Sequence, residues 1–336
     1  MPHNARMTWR ELHARYGRVL WALHSAWALL SGIVVLVLAH NRYGFLRWAI
    51  VFIALTWAST LFFPRTVDAA SPAGRVAQNV VSYLTRVMYQ ETLFFLLPFY
   101  FYSATVLSWN FLYVIALAAF AVLSCFDELF DRLLGDYRWF AIGFFAFVSF
   151  SGLQLFIPLV LRMHVDIGEL IAAAISFIGA IVLAGRWRDF RNARRLAAAA
   201  VAFAATLAVV AFGALLPPVP LRLTRLAFAG ALNPRTLNTS TQFQGEIPRS
   251  ELRRGRVYAI ATVFSPERIP AQMQIRFISG GNVVRESRLV DLTARPDGFR
   301  VWDSVHAGDT DAPQTFRVEV WTGRQLLGRR SIRVTR

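Results

Sequence analysis

Arg162, His164, Asp166 and Glu169 place an imidazole and two carboxylates within a short stretch of the chain. Imidazole and carboxylate oxygens are ordinary ligands for a divalent cation, and positions three apart, such as Asp166 and Glu169, share a helix face. No HExxH-type spacing accompanies them, so a polar loop is the simpler reading and no metal is assigned. Gln154 lies four residues before Pro158 in an apolar run; a buried amide there can bridge helices while the proline frees a carbonyl. His24 falls inside another apolar run, at a depth where an imidazole needs a partner. Together, His24, Gln154, Arg162, His164, Asp166 and Glu169 form the candidate polar site, within the spans or at their outer interface.

A second cluster, Asp127, Glu128, Asp131 and Arg132, is expected at a cytoplasmic helix end. Asp127 and Asp131 are an i,i+4 acidic pair that repels unless a base lies between them. Arg132, Arg138 or an arginine of the 186–195 stretch is the expected counter-charge, and helix clamping is favoured over ion handling. Near the C-terminus, Asp303, Ser304, His306 and Asp309 are close in sequence, but a serine triad needs an oxyanion donor and a held nucleophile, and no GxSxG elbow is present. Gly280-Gly281 has neither GxGxxG nor GxxxxGK[ST] around it. Cys125 is the single cysteine, so no internal disulfide is possible and a buried apolar role is expected. No catalytic residue and no cofactor are assigned.

The elements that would position these residues are dominated by hydrophobic runs. The 336 residues are 56% hydrophobic, with 28 Phe and 10 Trp and a mean hydropathy of +0.43. A bilayer-spanning helix needs about 20 mostly apolar residues. Runs at 19–39, 46–63, 92–108, 110–126, 139–160, 167–184 and 196–216 approach that length, so about seven spans are expected, the third and fourth either crossing fully or forming a re-entrant pair. The first run is too long for a cleaved signal peptide and reads as a retained anchor.

The net charge of +16 is carried by arginine alone, without lysine. Arg6, Arg10, Arg15, Arg18, Arg65, Arg75, Arg86, Arg132, Arg138, Arg186, Arg188, Arg191, Arg194 and Arg195 fall on one side of a seven-span topology; Arg42, Arg47 and Arg162 fall on the other. The positive-inside pattern then puts the N-terminus in the cytoplasm and the C-terminal domain outside. Juxtamembrane arginines suit anionic lipid, and nucleic acid is not an expected partner.

Pro217, Pro218 and Pro220 stop the last run. Residues 217–254 read as a linker with a short amphipathic surface element at 221–232. After Arg256 the period changes to two: Val257, Ala259, Ala261 and Val263; Met273, Ile275 and Phe277; Phe316, Val318 and Val320. Gly280-Gly281-Asn282 and Trp321-Thr322-Gly323-Arg324 mark tight turns. The expected organisation is a helical membrane bundle at 1–216, the linker at 217–254, and a small antiparallel β sandwich or barrel of about six strands at 255–336.

Those strands carry a resemblance. Val257-Tyr258-Ala259-Ile260-Ala261-Thr262, Phe299-Arg300-Val301-Trp302 and the stretch Phe316 to Gly328 resemble an uncharacterised proteobacterial domain that follows a multi-spanning membrane region. Its last strands read WRVEV…G…LG, with Phe316 here at the aromatic position. The resemblance covers roughly residues 255–334 and implies an inner-membrane bacterial protein. That family has no established activity, so no active-site residue carries over.

The functional expectation is a membrane-anchored binding or structural/sensory module of the cell envelope, whose β domain meets an envelope protein or a small ligand while the lipid bilayer holds its helices. The alternative is a small-solute transporter or integral membrane enzyme with a site among the helices. A non-enzyme is favoured, because no span holds a paired carboxylate–base system.

Overall fold

The computed structural model describes residues 71–185 and 213–335, apart from short stretches at 234–235, 238, 240, 266–268, 294–297 and 309–313, together with positions 30, 55, 57, 203, 204, 206, 208 and 210. The first two expected spans, His24 and the 186–195 arginines therefore lie outside the described residues, as does most of the last span.

Among the described residues, the continuous helices are α1 (Pro72–Ser103), α2 (Trp109–Leu123), α3 (Asp127–Asp136), α4 (Arg138–Leu161) and α5 (Val165–Ala184). Of these, α4 and α5 are long and apolar enough to cross a membrane. Among the described residues, a third candidate arises only if the bent pair Trp109–Ser124 and Leu129–Asp136, at 104° to each other, is counted as one span. This corrects the seven-span bundle. An apolar run is not the same thing as a helix of that length: the run at 92–108 is the far end of a 32-residue helix that also carries Arg75, Arg86 and Glu91. The run at 110–126 folds as only 15 helical residues, too few for a bilayer core. Among the described residues the candidate helices are these two in mid-chain, which also overturns the multi-pass inner-membrane placement with a cytoplasmic N-terminus and a periplasmic C-terminal domain.

The chain divides into two compact units. The first comprises Met1–Pro98 with Ala116–Val148, and its described core is aromatic. Phe144, 2% exposed, meets Phe130 at 5.0 Å, Tyr89 at 5.1 Å and Phe120 at 5.4 Å, each edge-on. That geometry sets ring edges against ring faces. Cys125 is buried here, its Sγ 3.4 Å from the Ala121 carbonyl.

The second unit comprises Phe99–Ile115 with Ser149–Arg336. Its helical part contains α5, an alanine-rich segment of high helix propensity. Arg162, at φ 52°, separates α5 from α4. Gly168 lets α5 lie on α4: a Cβ there would stand 2.7 Å from Pro158 Cγ. Two sheets follow. One is β1 (Arg222–Ala229), β3 (Arg256–Phe264) and β7 (Phe299–His306), in the order β1-β3-β7. The other comprises β2 (Glu246–Pro248), β4 (Gln272–Ser279), β5 (Asn282–Glu286), β6 (Val290–Asp291), β8 (Gln314–Thr322) and β9 (Gln325–Thr335), ordered β2-β9-β8-β4-β5 with β6 also on β4.

Alternate positions of these strands point inward: Val257, Ala259, Ala261 and Val263 in one sheet, and Met273, Ile275, Phe277, Val318 and Val320 in the other, are all fully buried. The antiparallel sandwich or barrel is nevertheless corrected to two open sheets. β2 and β5 stand at opposite ends of the larger sheet, so it does not close on itself, and β2 runs parallel to β9. Residues 222–229, read from sequence as part of a linker, form β1. They pair with β3 from Arg222↔Phe264 to Ala229↔Tyr258, because a strand partner satisfies backbone groups that a surface element would leave to water.

Candidate functional site

A buried polar network lies within the second unit, at Glu169. Its side chain is on the first turns of α5, and the residue is 3% exposed. A buried carboxyl is costly unless hydrogen-bonded, and here two amides converge on one oxygen. Gln154 Nε2 donates to Glu169 Oε1 at 2.7 Å, and Gln325 Nε2 donates to the same oxygen in a very short contact. Gln154 is fully buried in α4, and its Nε2 also reaches the Pro217 carbonyl at 3.2 Å. Its Oε1 accepts from the Tyr100 hydroxyl at 2.8 Å, which also lies 2.8 Å from the Ser151 carbonyl. Tyr113 stacks on Tyr100 at 5.2 Å, and its hydroxyl shares a 2.7 Å bond with Ser151 Oγ.

Gln325 opens β9, on the inward-facing register of the strand. The β8–β9 turn brings it to the helices. Gly323 holds φ +53°, and a Cβ there would lie 2.7 Å from Asp166 Oδ2. On the opposite flank, Gly213 holds φ +68° and its Cβ would stand 2.9 Å from Arg324 Cβ. Only glycine accepts such a backbone at such a distance without strain. Further ties fix β9 in this place: Asn110 Nδ2 donates to the Leu326 carbonyl at 2.9 Å, and Arg329 Nη2 to the Leu107 carbonyl at 2.5 Å.

Between these groups lies a cleft of about 110 Å³ lined by Asp166, Glu169, Leu170, Val210, Gly213, Arg324 and Gln325. Gln325 is 1% exposed, and its Oε1 is buried with no hydrogen-bond partner. The described lining combines the acidic Asp166 and Glu169, Arg324 and Gln325 with the aliphatic Leu170 and Val210. Among the described residues, no group of three His, Cys, Asp or Glu side chains could hold a metal ion.

The candidates read from sequence distribute as follows. Gln154, Asp166 and Glu169 belong to this network or its cleft. His164 precedes α5, with Nδ1 3.6 Å from Asp166 Oδ2. Arg162 is exposed at the α4–α5 break. Asp127 and Glu128 begin α3, their side chains outside the described set. Asp131 pairs at 2.7 Å with Arg86, a base that the local charge pattern did not single out, and Arg132 is exposed on the same helix. Asp303 is held by Arg285 at 3.2 Å and Ser304 Oγ by Arg256 at 3.2 Å, which ties each to an arginine. Sequence reasoning missed Tyr100, Tyr113, Ser151 and Gln325. For Gln325 a signal existed, since it shares the inward parity of Leu327 on β9 and so sets a polar side chain on a buried face.

A family model described as "Family of unknown function (DUF5924)" matches residues 3–259, more than half of the sequence. The chain belongs to that family. The match corrects the resemblance read on the C-terminal strands: it covers the front of the chain and ends within β3, and it carries no evidence of a polytopic inner-membrane family. No curated protein matches the sequence. Among solved structures, similarity is found to the Pseudomonas fluorescens alkylpurine DNA glycosylase AlkC bound to DNA containing an abasic site analog, at 10% identity and a TM-score of 0.24, covering 85% of this chain and 97% of that one. A likeness that weak carries no argument.

The envelope module anchored in a membrane, and its alternative of a transporter or membrane enzyme with a site among the helices, are both overturned. Among the described residues two helices have the length and hydropathy of a span, and the polar residues that do converge need a residue of β9 to complete them.

Proposed function

We propose that this protein binds a small polar solute in the cleft at Asp166, Glu169, Arg324 and Gln325, and does not turn it over. The observation that carries the reading is the orphaned Gln325 Oε1. A buried acceptor without a donor costs about 1–3 kcal/mol, and native structures leave few such groups unexplained. Here the acceptor belongs to a residue on the wall of a cleft large enough for a molecule of a few heavy atoms. The described residues lining the cleft are two with carboxyls, an arginine, a glutamine, a glycine and two aliphatics, with no nucleophile–base pair among these described residues, which favours binding over chemistry.

The test is thermal denaturation of the purified full-length protein with a panel of small solutes: glycerol, acetamide, ammonium chloride and methylammonium chloride. A solute that binds only the native state stabilises it by RT ln(1 + [L]/Kd), about 1.4 kcal/mol at ten times Kd. At least one solute is expected to raise Tm saturably, and the effect should vanish in Leu170→Phe, which fills the cleft. The proposal fails if no solute in the panel raises Tm, or if Leu170→Phe keeps the full response.

A further inference from the structure

We infer that the outward face of α5 is covered by the acyl chains of a lipid bilayer. In a helix at the surface of a water-dissolved protein, bulky aliphatic side chains turn inward and polar ones outward. In α5 the order is reversed. Its exposed positions are Ile167, Leu170 and Ile178, the last 59% exposed. Its buried positions, apart from Val165 at the start, are glycine, alanine, serine and the acid Glu169. Lipid tails are as apolar as leucine, so a bilayer does not drive bulky side chains between helices. Small residues there let backbones approach, and an ionisable residue turns to polar partners inside the protein. Glu169 does so, toward Gln154 and Gln325.

Length and flanking chemistry point to the same occupant. The 20 residues of α5 make a helix about 30 Å long, the thickness of a bilayer's hydrocarbon core. Just before it come the exposed Leu161 and Arg162. The β8–β9 hairpin, whose Gly323 lies against Asp166, also holds the break between α1 and α2 through Asn110 and Arg329. That break presents Leu107, 86% exposed, and Trp109, 70% exposed. Arginine and tryptophan gather where hydrocarbon gives way to headgroups, whereas a protein partner, such as a second copy, sets no requirement on helix length. One helix so covered sets neither the number of other spans nor an orientation.

The test places a nitroxide at position 178, about 5 Å past the middle of α5. Full-length protein carrying Cys125→Ser and Ile178→Cys is reconstituted in vesicles of phosphatidylcholine and phosphatidylglycerol. Val284→Cys in the same background, at an exposed position of β5, is the water-facing comparator. Collisions with oxygen, which dissolves in hydrocarbon, are expected to exceed those with a water-soluble nickel chelate several-fold at 178, and the order should reverse at 284. A label at 178 as open to the chelate as one at 284 overturns the inference, because water then covers the face. Shielding from both reagents at 178 overturns it too, since another segment or a second copy then sits there. Unmodified protein, with the buried Cys125 intact, gives an independent reading: it should float with the vesicles in a detergent-free gradient and stay with them in high salt. Protein that remains dissolved at the bottom of that gradient overturns the inference whether or not the labelled variants fold.

Discussion

Replacing Gln154 with leucine removes three hydrogen bonds in one step while keeping the side chain's bulk. The amide donates to Glu169 and to the Pro217 carbonyl and accepts from Tyr100, all at a site with no exposure. Leucine leaves Glu169 with Gln325 alone and the Pro217 carbonyl without this donor, while the Tyr100 hydroxyl retains the Ser151 carbonyl. The Pro217 carbonyl keeps the Val219 N–H, so the loss is that of three hydrogen bonds at about 0.5–1.5 kcal/mol each. After some gain from the apolar isostere, Gln154→Leu should destabilise by about 1–3 kcal/mol. Glu169→Leu should cost a similar amount, because it takes the acceptor from the Gln325 amide and leaves the Gln154 amide nitrogen with the Pro217 carbonyl alone. The double variant removes donor and acceptor together, so its loss should fall short of the sum of the single losses by about 1–3 kcal/mol. Chemical unfolding of the full-length protein, followed by tryptophan fluorescence and circular dichroism, gives all four corners of the cycle. Additive losses, to within about 0.5 kcal/mol, would refute the claim that these two side chains form one buried unit.

Three further outcomes follow from the packing. Gly323→Ala sets a Cβ 2.7 Å from Asp166 Oδ2 at a positive φ and should lower stability by about 1–3 kcal/mol; adding Asp166→Ala should recover part of it, and a Tm unmoved by either change argues against the turn's contact with α5. Phe144→Ala opens a cavity among Phe120, Phe130 and Tyr89 and should cost about 3–5 kcal/mol, measured by the same unfolding assay; a loss below about 1 kcal/mol would show that the ring cluster is not a packed core. Burial raises the Glu91 carboxyl above the usual carboxylate range, so the native state holds that proton more tightly than the unfolded chain. Its contribution is present at low pH and is lost as pH rises from the ordinary carboxylate pKa through the raised native value. Glu91→Gln should therefore flatten the decline of Tm as pH rises above the ordinary carboxylate pKa, and an unchanged slope counts against it.

Strand periodicity was the most legible signal. Phe316, Val318 and Val320 announce β8 by alternation alone, and all three are buried. Helix lengths were not legible, because hydropathy measures what a segment dissolves in and not where its backbone breaks. The break between α1 and α2 comes at Ala104–Ser108, with Leu107 at φ 63°, inside a continuous apolar run. The site was half legible: Gln154 and Glu169 each stood out as polar residues in apolar runs, but they were assigned to different roles. Glu169 was grouped with its sequence neighbours His164 and Asp166, whereas its hydrogen-bond partners are Gln154 and Gln325. Local spacing cannot reveal a partner supplied by a strand 156 residues further on. Parity on β9 could have flagged Gln325 as inward-facing, although not what it faces.

That long separation has a consequence for how the chain is made. Translation at 5–20 residues per second means that roughly ten to thirty seconds pass between synthesis of α5 and emergence of its last ligating amide. Throughout that interval the acid has the α4 glutamine at most, and the nascent helices carry an unfinished polar centre. A ribosome-bound intermediate stalled before β9 should therefore keep this region open to water, and synthesis of β9 should close it in a late step set by arrival of the β8–β9 hairpin.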